Sequence, residues 1–324
     1  MPATNWTYDT EGQIWRNAKV SDRLLITATG ETQLLPFTQE VDGGLGKHAG
    51  DTLTIPHVKR LPVPSNPRLG EDEEFPIDKL EWGQRAITVT EFGRGVEATN
   101  LRMVLDVFNV KNVLQKALMR QMEEALDNAV GDAFTDANNV KVCFIPTSAT
   151  GGVFDTDGTP STVASSPLTV RHIGLLVDYM AGDLHIPTMP GMNGSYVMLS
   201  TRKTLRALKE DDKAQAIGLY LRQGDLFFRG ELFMIENVRF VQVDREGALS
   251  NTAGTSTVIG ESVIFGDEAI ARVEAETPHL RMDSNYQSRF GTRQACAWYG
   301  ILEYGSFWNT ANDGEAKIVR ITSA

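Results

Sequence analysis

The sequence predicts an α+β chain that cannot cover all of its own apolar surface. Three observations lead there. Residues 106–134 carry one long helical stripe, residues 51–92 hold two alternating strand runs around a proline-rich tip, and residues 271–322 hold three dense strand runs.

Residues 1–49 form no compact unit. Trp6, Ile14, Trp15, Leu24, Leu25, Leu34, Leu35 and Phe37 are scattered along them. A short helix fits residues 13–25, and the rest reads as an extended arm ending in Gly43-Gly44-Leu45-Gly46. An arm with Trp and Phe but no core of its own needs another surface, and a neighbouring subunit offers one.

In the next stretch Leu53 and Ile55 alternate with Thr52 and Thr54, and residues 85–92 alternate in the same way. That is the period of a half-buried strand. Between them lie Leu61-Pro-Val-Pro-Ser-Asn-Pro-Arg-Leu-Gly70 and the acidic run Glu71, Asp72, Glu73, Glu74. Two legs of about 15 residues at roughly 3.3 Å each would reach about 50 Å. A two-stranded ribbon of that length is marginal alone in water and needs a partner surface. The tip is cationic at Lys59, Arg60 and Arg68 and anionic at Glu71 to Glu74. Both a solvated loop and pairing between subunits fit that pattern.

In residues 106–134, Val107, Val110, Leu114, Leu118, Met122, Ala125, Ala129 and Ala133 step by three or four and make one apolar stripe. Lys111, Lys116, Arg120, Glu123, Glu124 and Asp127 fall mainly off it. About 28 residues at 1.5 Å span roughly 42 Å, so this helix should lie along a sheet or cross a subunit. Gly131 stands near its expected end. A strand follows over residues 140–145, a loop over 149–166, and a helix over 167–180 capped by Ser166. The expectations continue with a strand over 195–199, a helix over 201–210 capped by Ser200 with Leu205 and Leu208 inward, and strands over 232–235, 238–243 and 263–265. Residues 268–273 fit a short helix or a turn. Strands over 271–277, 292–304 and 317–322 complete the chain.

Composition narrows the function classes. The chain has 324 residues, 41% hydrophobic and 23% charged, with a formal net charge of -11. That is a globular composition with room for more than one domain. An acidic surface repels phosphate, so a nucleic-acid coat is a poor fit. Cys143 and Cys296 sit in apolar runs without zinc-ligand spacing and read as buried reduced thiols. Residues 1–15 lack the basic and apolar regions of a signal peptide, and no apolar run has membrane-spanning length. A cytosolic protein, or one assembled in a cytosol, is expected.

The search for chemistry finds no catalytic, cofactor or metal constellation. Asp42-Gly-Gly-Leu-Gly-Lys-His48 lacks the first glycine and the hydroxyl of a phosphate loop. Asp155-Thr-Asp-Gly158 opens like a calcium loop but lacks its later carboxylates, so a turn is expected. His48, His57, His172, His185 and His279 form no HExxH pair. An arm without a core and a ribbon without a partner point to assembly.

Several stretches carry a family resemblance. They are Gly50-Asp-Thr-Leu-Thr-Ile-Pro-His-Val-Lys-Arg60, Ser195-Tyr-Val-Met-Leu-Ser200 with Leu205-Arg-Ala-Leu-Lys-Glu210, Val263-Ile-Phe-Gly-Asp-Glu-Ala269, and Gly291-Thr-Arg-Gln-Ala-Cys-Ala-Trp-Tyr-Gly300. Their order resembles the major capsid proteins of tailed bacteriophages, the Hong Kong 97 fold shared with encapsulin shells, and is nearest to the family typified by coliphage N-four. The resemblance implies an N-terminal arm over residues 1–49 and an extended loop over 50–92. It implies a peripheral domain over 93–182 with a spine helix at 106–134, an axial domain over 183–266, and peripheral C-terminal strands over 267–324. It implies a structural protein and not an enzyme, with no cofactor and no membrane. Copies would form hexamers and pentamers of an icosahedral shell around double-stranded DNA, held without sequence-specific contacts. A separate scaffolding protein and a portal protein are the implied partners, with a decoration or cement protein compatible. Trp6 and Trp15 of the arm, and Lys59, Arg60, Arg68, Glu71, Asp72, Glu73 and Glu74 of the loop, are the expected intersubunit contacts. Two rivals remain: an encapsulin-like compartment, and a cytosolic enzyme with a loop-built site around His172 and His185.

Overall fold

The computed structural model describes residues 32–41, 50–61, 63–64, 66–69, 71, 74–99, 110–192, 194–214, 231–243, 249, 260–283, 293–308 and 316–323. The helix expected at 13–25 and the glycine-rich stretch 42–48 lie outside them.

The long helix α1 (Val110–Thr135) forms where the stripe placed it, and the expected first turn at 106–109 lies outside the described residues. Its buried face runs through Leu118, Leu126, Val130, Ala133 and Phe134. Gly131 does not end it. The helix continues to Thr135, and the Asn139 side-chain amide donates to the Ala133 carbonyl at 3.1 Å, satisfying a terminal acceptor.

A four-stranded sheet lies under α1, in the order β1 (Thr38–Val41), β11 (Ile270–Asp283), β12 (Arg293–Ser306), β4 (Thr90–Thr99). β1 runs parallel to β11, and the other pairs are antiparallel. Leu118 of α1 packs with Cys296 and Trp298 of β12. Glu268, expected in a helix or turn, stands in a turn at φ 53° before β11.

A seven-stranded mixed sheet takes the order β6 (Gly151–Asp155), β5 (Val142–Ser148), β13 (Ile318–Ser323), β10 (Gly260–Phe265), β7 (Tyr196–Thr201), β9 (Val238–Val243), β8 (Glu231–Ile235). Both faces are covered, which is why β7 reads as an unbroken apolar run. On one face Tyr196, Met198, Ile264, Val319 and Phe240 meet α2 (Val170–Gly182) and α3 (Arg202–Glu210). On the other Val197, Leu199, Val263 and Phe265 meet Val130 and Phe134 of α1. The sheet joins strands from the expected axial stretch, β7 to β10, with β5, β6 and β13 from either side of it.

Four expectations change. β6 occupies part of the expected loop 149–166 and pairs with β5. Its glycines hid it: a Cβ on Gly152 would lie 2.5 Å from the Phe144 ring, so only glycine fits beneath that ring. The helix expected from residue 167 starts at Val170 with Thr169 as N-cap, while Ser166 donates to the Pro167 carbonyl instead. The next helix is capped by Thr201 and not Ser200, which is the penultimate residue of β7. Leu205 and Leu208 do point inward, both 0% exposed. The arm is not wholly outside the subunit, because Leu34 is 0% exposed and β1 adds to the sheet edge.

Candidate assembly interface

β2 (Thr52–Val58) and β3 (Trp82–Thr88) pair antiparallel from Thr52↔Thr88 to Val58↔Trp82. The ladder is about half the expected length. The return leg leaves it after Thr88, and Thr90 already begins β4, paired with Leu302 of β12. Pro56 is tolerated in β2 because a two-stranded ribbon has an open edge for a residue without an N–H.

The root of this hairpin is fastened to its own subunit. Ile87 packs with Ala271 and Val273, and Gly305 leaves room for it, since a Cβ there would stand 3.0 Å from Ile87. The Arg85 guanidinium donates to Asn139 Oδ1 at 2.8 Å. The His57 ring lies 4.9 Å from the Trp308 ring, whose plane carries the Lys317 ammonium at 4.5 Å. Burial pushes the Lys317 pKa down, with Glu268 and Asp267 acting in the opposite sense.

Beyond the root the surface changes character. Val63 is 76% exposed, Phe75 78%, Ile77 90% and Trp82 69%. Of thirteen exposed large hydrophobics among the described residues, eight lie between Val58 and Trp82. Apolar side chains concentrated on one projection make it a candidate contact surface.

The charged residues expected at intersubunit contacts stand as follows in the single chain. Lys59 pairs with Glu81 of its own hairpin at 3.4 Å, reinforced by its backbone amide on the Glu81 carbonyl. Arg60, Arg68, Glu71 and Glu74 are exposed, and among the described residues no ion pair joins these arginines to these carboxylates. Asp72, Glu73, Trp6 and Trp15 lie outside the described residues.

The histidines of the enzyme alternative do not converge. His172 Nδ1 accepts the Thr169 amide at 3.1 Å, so its Nε2 carries the proton and donates to the Ser148 carbonyl at 2.8 Å. Burial holds its pKa below the ordinary histidine range, against the opposing pull of that carbonyl. His185 lies beyond the far end of α2 and bonds the Ala181 carbonyl, nine residues or roughly 14 Å along the helix from His172. A groove of about 520 Å³ beside α2 is lined by Arg171, Asp178, Lys213 and Glu236 among others, and by neither histidine. Asp155 and Asp157 receive Ser161 and Thr159 as ordinary turns do, and no metal-ligating cluster occurs among the described residues. Burial pushes the Cys143 thiol up to about 11. No described helix is long and apolar enough to cross a membrane.

Two features carry more than the sequence revealed. A Cβ on Gly266 would fall inside contact distance of the Pro187 carbonyl, which also accepts the Asp267 amide at 3.0 Å. Asp267 Oδ1 in turn accepts from the Gln39 side chain at 2.6 Å, tying β1 to this turn. The second feature is Asp127, placed on the polar side of the helical stripe but 0% exposed. It accepts the backbone amides of Gln33, Leu34 and Leu35.

The whole arrangement recurs in solved structures. Over 100% of this chain and 99% of the other, it is similar to the capsid asymmetric unit of cyanophage Pam1, with a TM-score of 0.73 and 17% identity. The fold is that of tailed-phage capsid subunits. The capsid of Ralstonia phage GP4 matches over 98% of both chains, with a TM-score of 0.66 and 15% identity. The acid-stable capsid of Helicobacter pylori bacteriophage KHP30 matches over 99% of both, with a TM-score of 0.71 and 12% identity. No protein-family model and no curated protein sequence matches the chain. The Hong Kong 97-type α+β architecture expected from the order of sequence motifs is thus the observed one.

Proposed function

We propose that the chain is the major capsid protein of a tailed bacteriophage, a structural shell subunit and not an enzyme. The observation that carries this reading is the end-to-end match to phage capsid subunits, with the apolar hairpin tip left uncovered in the single subunit. Residues 183–266, with β7 to β10 and α3, serve as the axial domain, and residues 93–182 and 267–324, with α1, as the peripheral domain. Copies associate into hexamers and pentamers that close an icosahedral shell around double-stranded DNA in the host cytoplasm. Each hairpin lies on a neighbouring copy, with Leu61, Val63, Phe75 and Ile77 supplying burial. Arg60, Arg68 and the Glu71 to Glu74 run supply register more than affinity. Trp6 and Trp15 add the arm's contacts. Each contact is modest, but every subunit makes several, and multivalency stabilises the closed shell. A net charge of -11 suits a wall against which DNA slides without sticking. A separate scaffolding protein, a portal protein and, where present, a decoration protein complete the assembly.

The test is expression of the chain alone and with a candidate scaffolding protein, with particle mass read by light scattering and negative-stain microscopy. Shells, tubes or five- and six-membered rings are expected. Closed shells formed without any scaffold would favour the encapsulin-like compartment. A species that stays small at high concentration under both conditions would overturn the shell reading.

A further inference from the structure

Asp127 lies on a helix face where the stripe of α1 calls for solvent, yet its side chain is 0% exposed. Oδ1 accepts the amides of Leu34 at 2.8 Å and Leu35 at 3.1 Å, and Oδ2 accepts that of Gln33 at 3.2 Å. A carboxylate is costly to bury unless its oxygens are hydrogen-bonded, and amide donors to a charged acceptor are the strong kind. The donors come from a segment 92 to 94 residues upstream, so no helical requirement explains them. Immediately after the clasp the chain makes a short 3-10 turn, Leu35–Phe37, and enters β1. There Glu40 meets Arg272 at 2.7 Å and Gln39 meets Asp267 at 2.6 Å. The strap is therefore fixed to the long helix at one end and to the sheet edge at the other.

We infer that Asp127 is the positioning residue of the N-terminal arm. It sets the point on the long helix where the arm joins the subunit, and it couples the arm to both the helix and the edge of the four-stranded sheet. A load on the arm then passes to the two layers of the subunit and is not absorbed by a loose linker. The arm's use in a shell rests on the proposed function, but the anchoring belongs to the single subunit and is tested there.

The experiment is hydrogen exchange by mass spectrometry on the unassembled full chain, comparing wild type with Asp127→Asn. Asparagine keeps one acceptor oxygen but turns an NH₂ toward an amide donor. Exchange at Leu34, Leu35 and Thr38–Val41 is expected to rise about ten- to a hundredfold, with α1 and the other strands of both sheets unchanged. Unchanged exchange in that segment, or acceleration spread through α1 and both sheets, overturns the inference. Should Asp127→Asn fail to fold, Gln33→Pro decides. It removes one donor from the arm's side and leaves the helix untouched, and the same segment-limited rise supports the anchor while its absence overturns it. In parallel, particles from the variant should differ in size or yield from wild type. Failure of the wild type itself to form particles counts against the shell reading and leaves the exchange result standing.

Discussion

Replacing Phe75 and Ile77 by serine isolates the hairpin tip from everything else the subunit does. In the folded subunit these side chains are 78% and 90% exposed, so truncation removes almost none of its packing. The expected change in subunit stability is within about 0.5 kcal/mol, the range of ordinary surface substitutions. Assembly differs. Full burial of such a side chain is worth about 1.5–3 kcal/mol, so covering both from their present exposure puts about 2.5–5 kcal/mol at stake per hairpin. Ordering the tip on association takes back part of that. If half survives, each contact weakens roughly eight- to sixtyfold. Every subunit repeats the contact, so the concentration needed for particles should rise by at least that factor. The assay pairs light scattering over a concentration series with thermal unfolding of the unassembled chain. Particles forming at the wild-type concentration would refute the reasoning. So would a clear loss of subunit stability, because it would place these residues in the subunit's own core.

Other expectations follow from the same geometry. Reversing the exposed charges Glu71 and Glu74 to lysine, together with Asp72 and Glu73, should impair particle formation while leaving the circular dichroism of the subunit unchanged; normal particles would remove this run from the interface. Gly266→Ala should cost about 1–3 kcal/mol in a urea titration, because its Cβ meets the backbone carbonyl of Pro187, which cannot rotate away. His172 has a folded pKa below its unfolded value near 6.5, so the unfolded chain gains its proton first as pH falls. This group's contribution is intact above about pH 6.5 and is lost as pH drops from there toward the folded pKa. His172→Gln can still accept the Thr169 amide, so its melting temperature should fall less than wild type between about pH 7 and pH 5.

Local sequence pattern determined the elements whose faces repeat. The apolar spacing of residues 106–134 placed α1, and the dense run at 292–304 placed β12, because the apolar pattern that marks each lies within its own stretch. The motif around Gly266 was legible as a signature, though its reason, a backbone approach to Pro187, was not. The uncovered tip is legible too, as a ribbon lacking a partner, but its apolar side chains follow no period that marks them as a surface. Tertiary structure alone decided the rest. Asp127 reads as a solvent-side carboxylate until a segment more than ninety residues away brings three amides to it. β6 reads as a glycine loop until Phe144 covers Gly152. β1 becomes a strand only because β11, 232 residues later, offers an edge at Thr38↔Ile270. Periodicity is written within one turn or one pleat, whereas a pairing across the chain is fixed only when distant segments share the same core, and that information is in no single window of sequence.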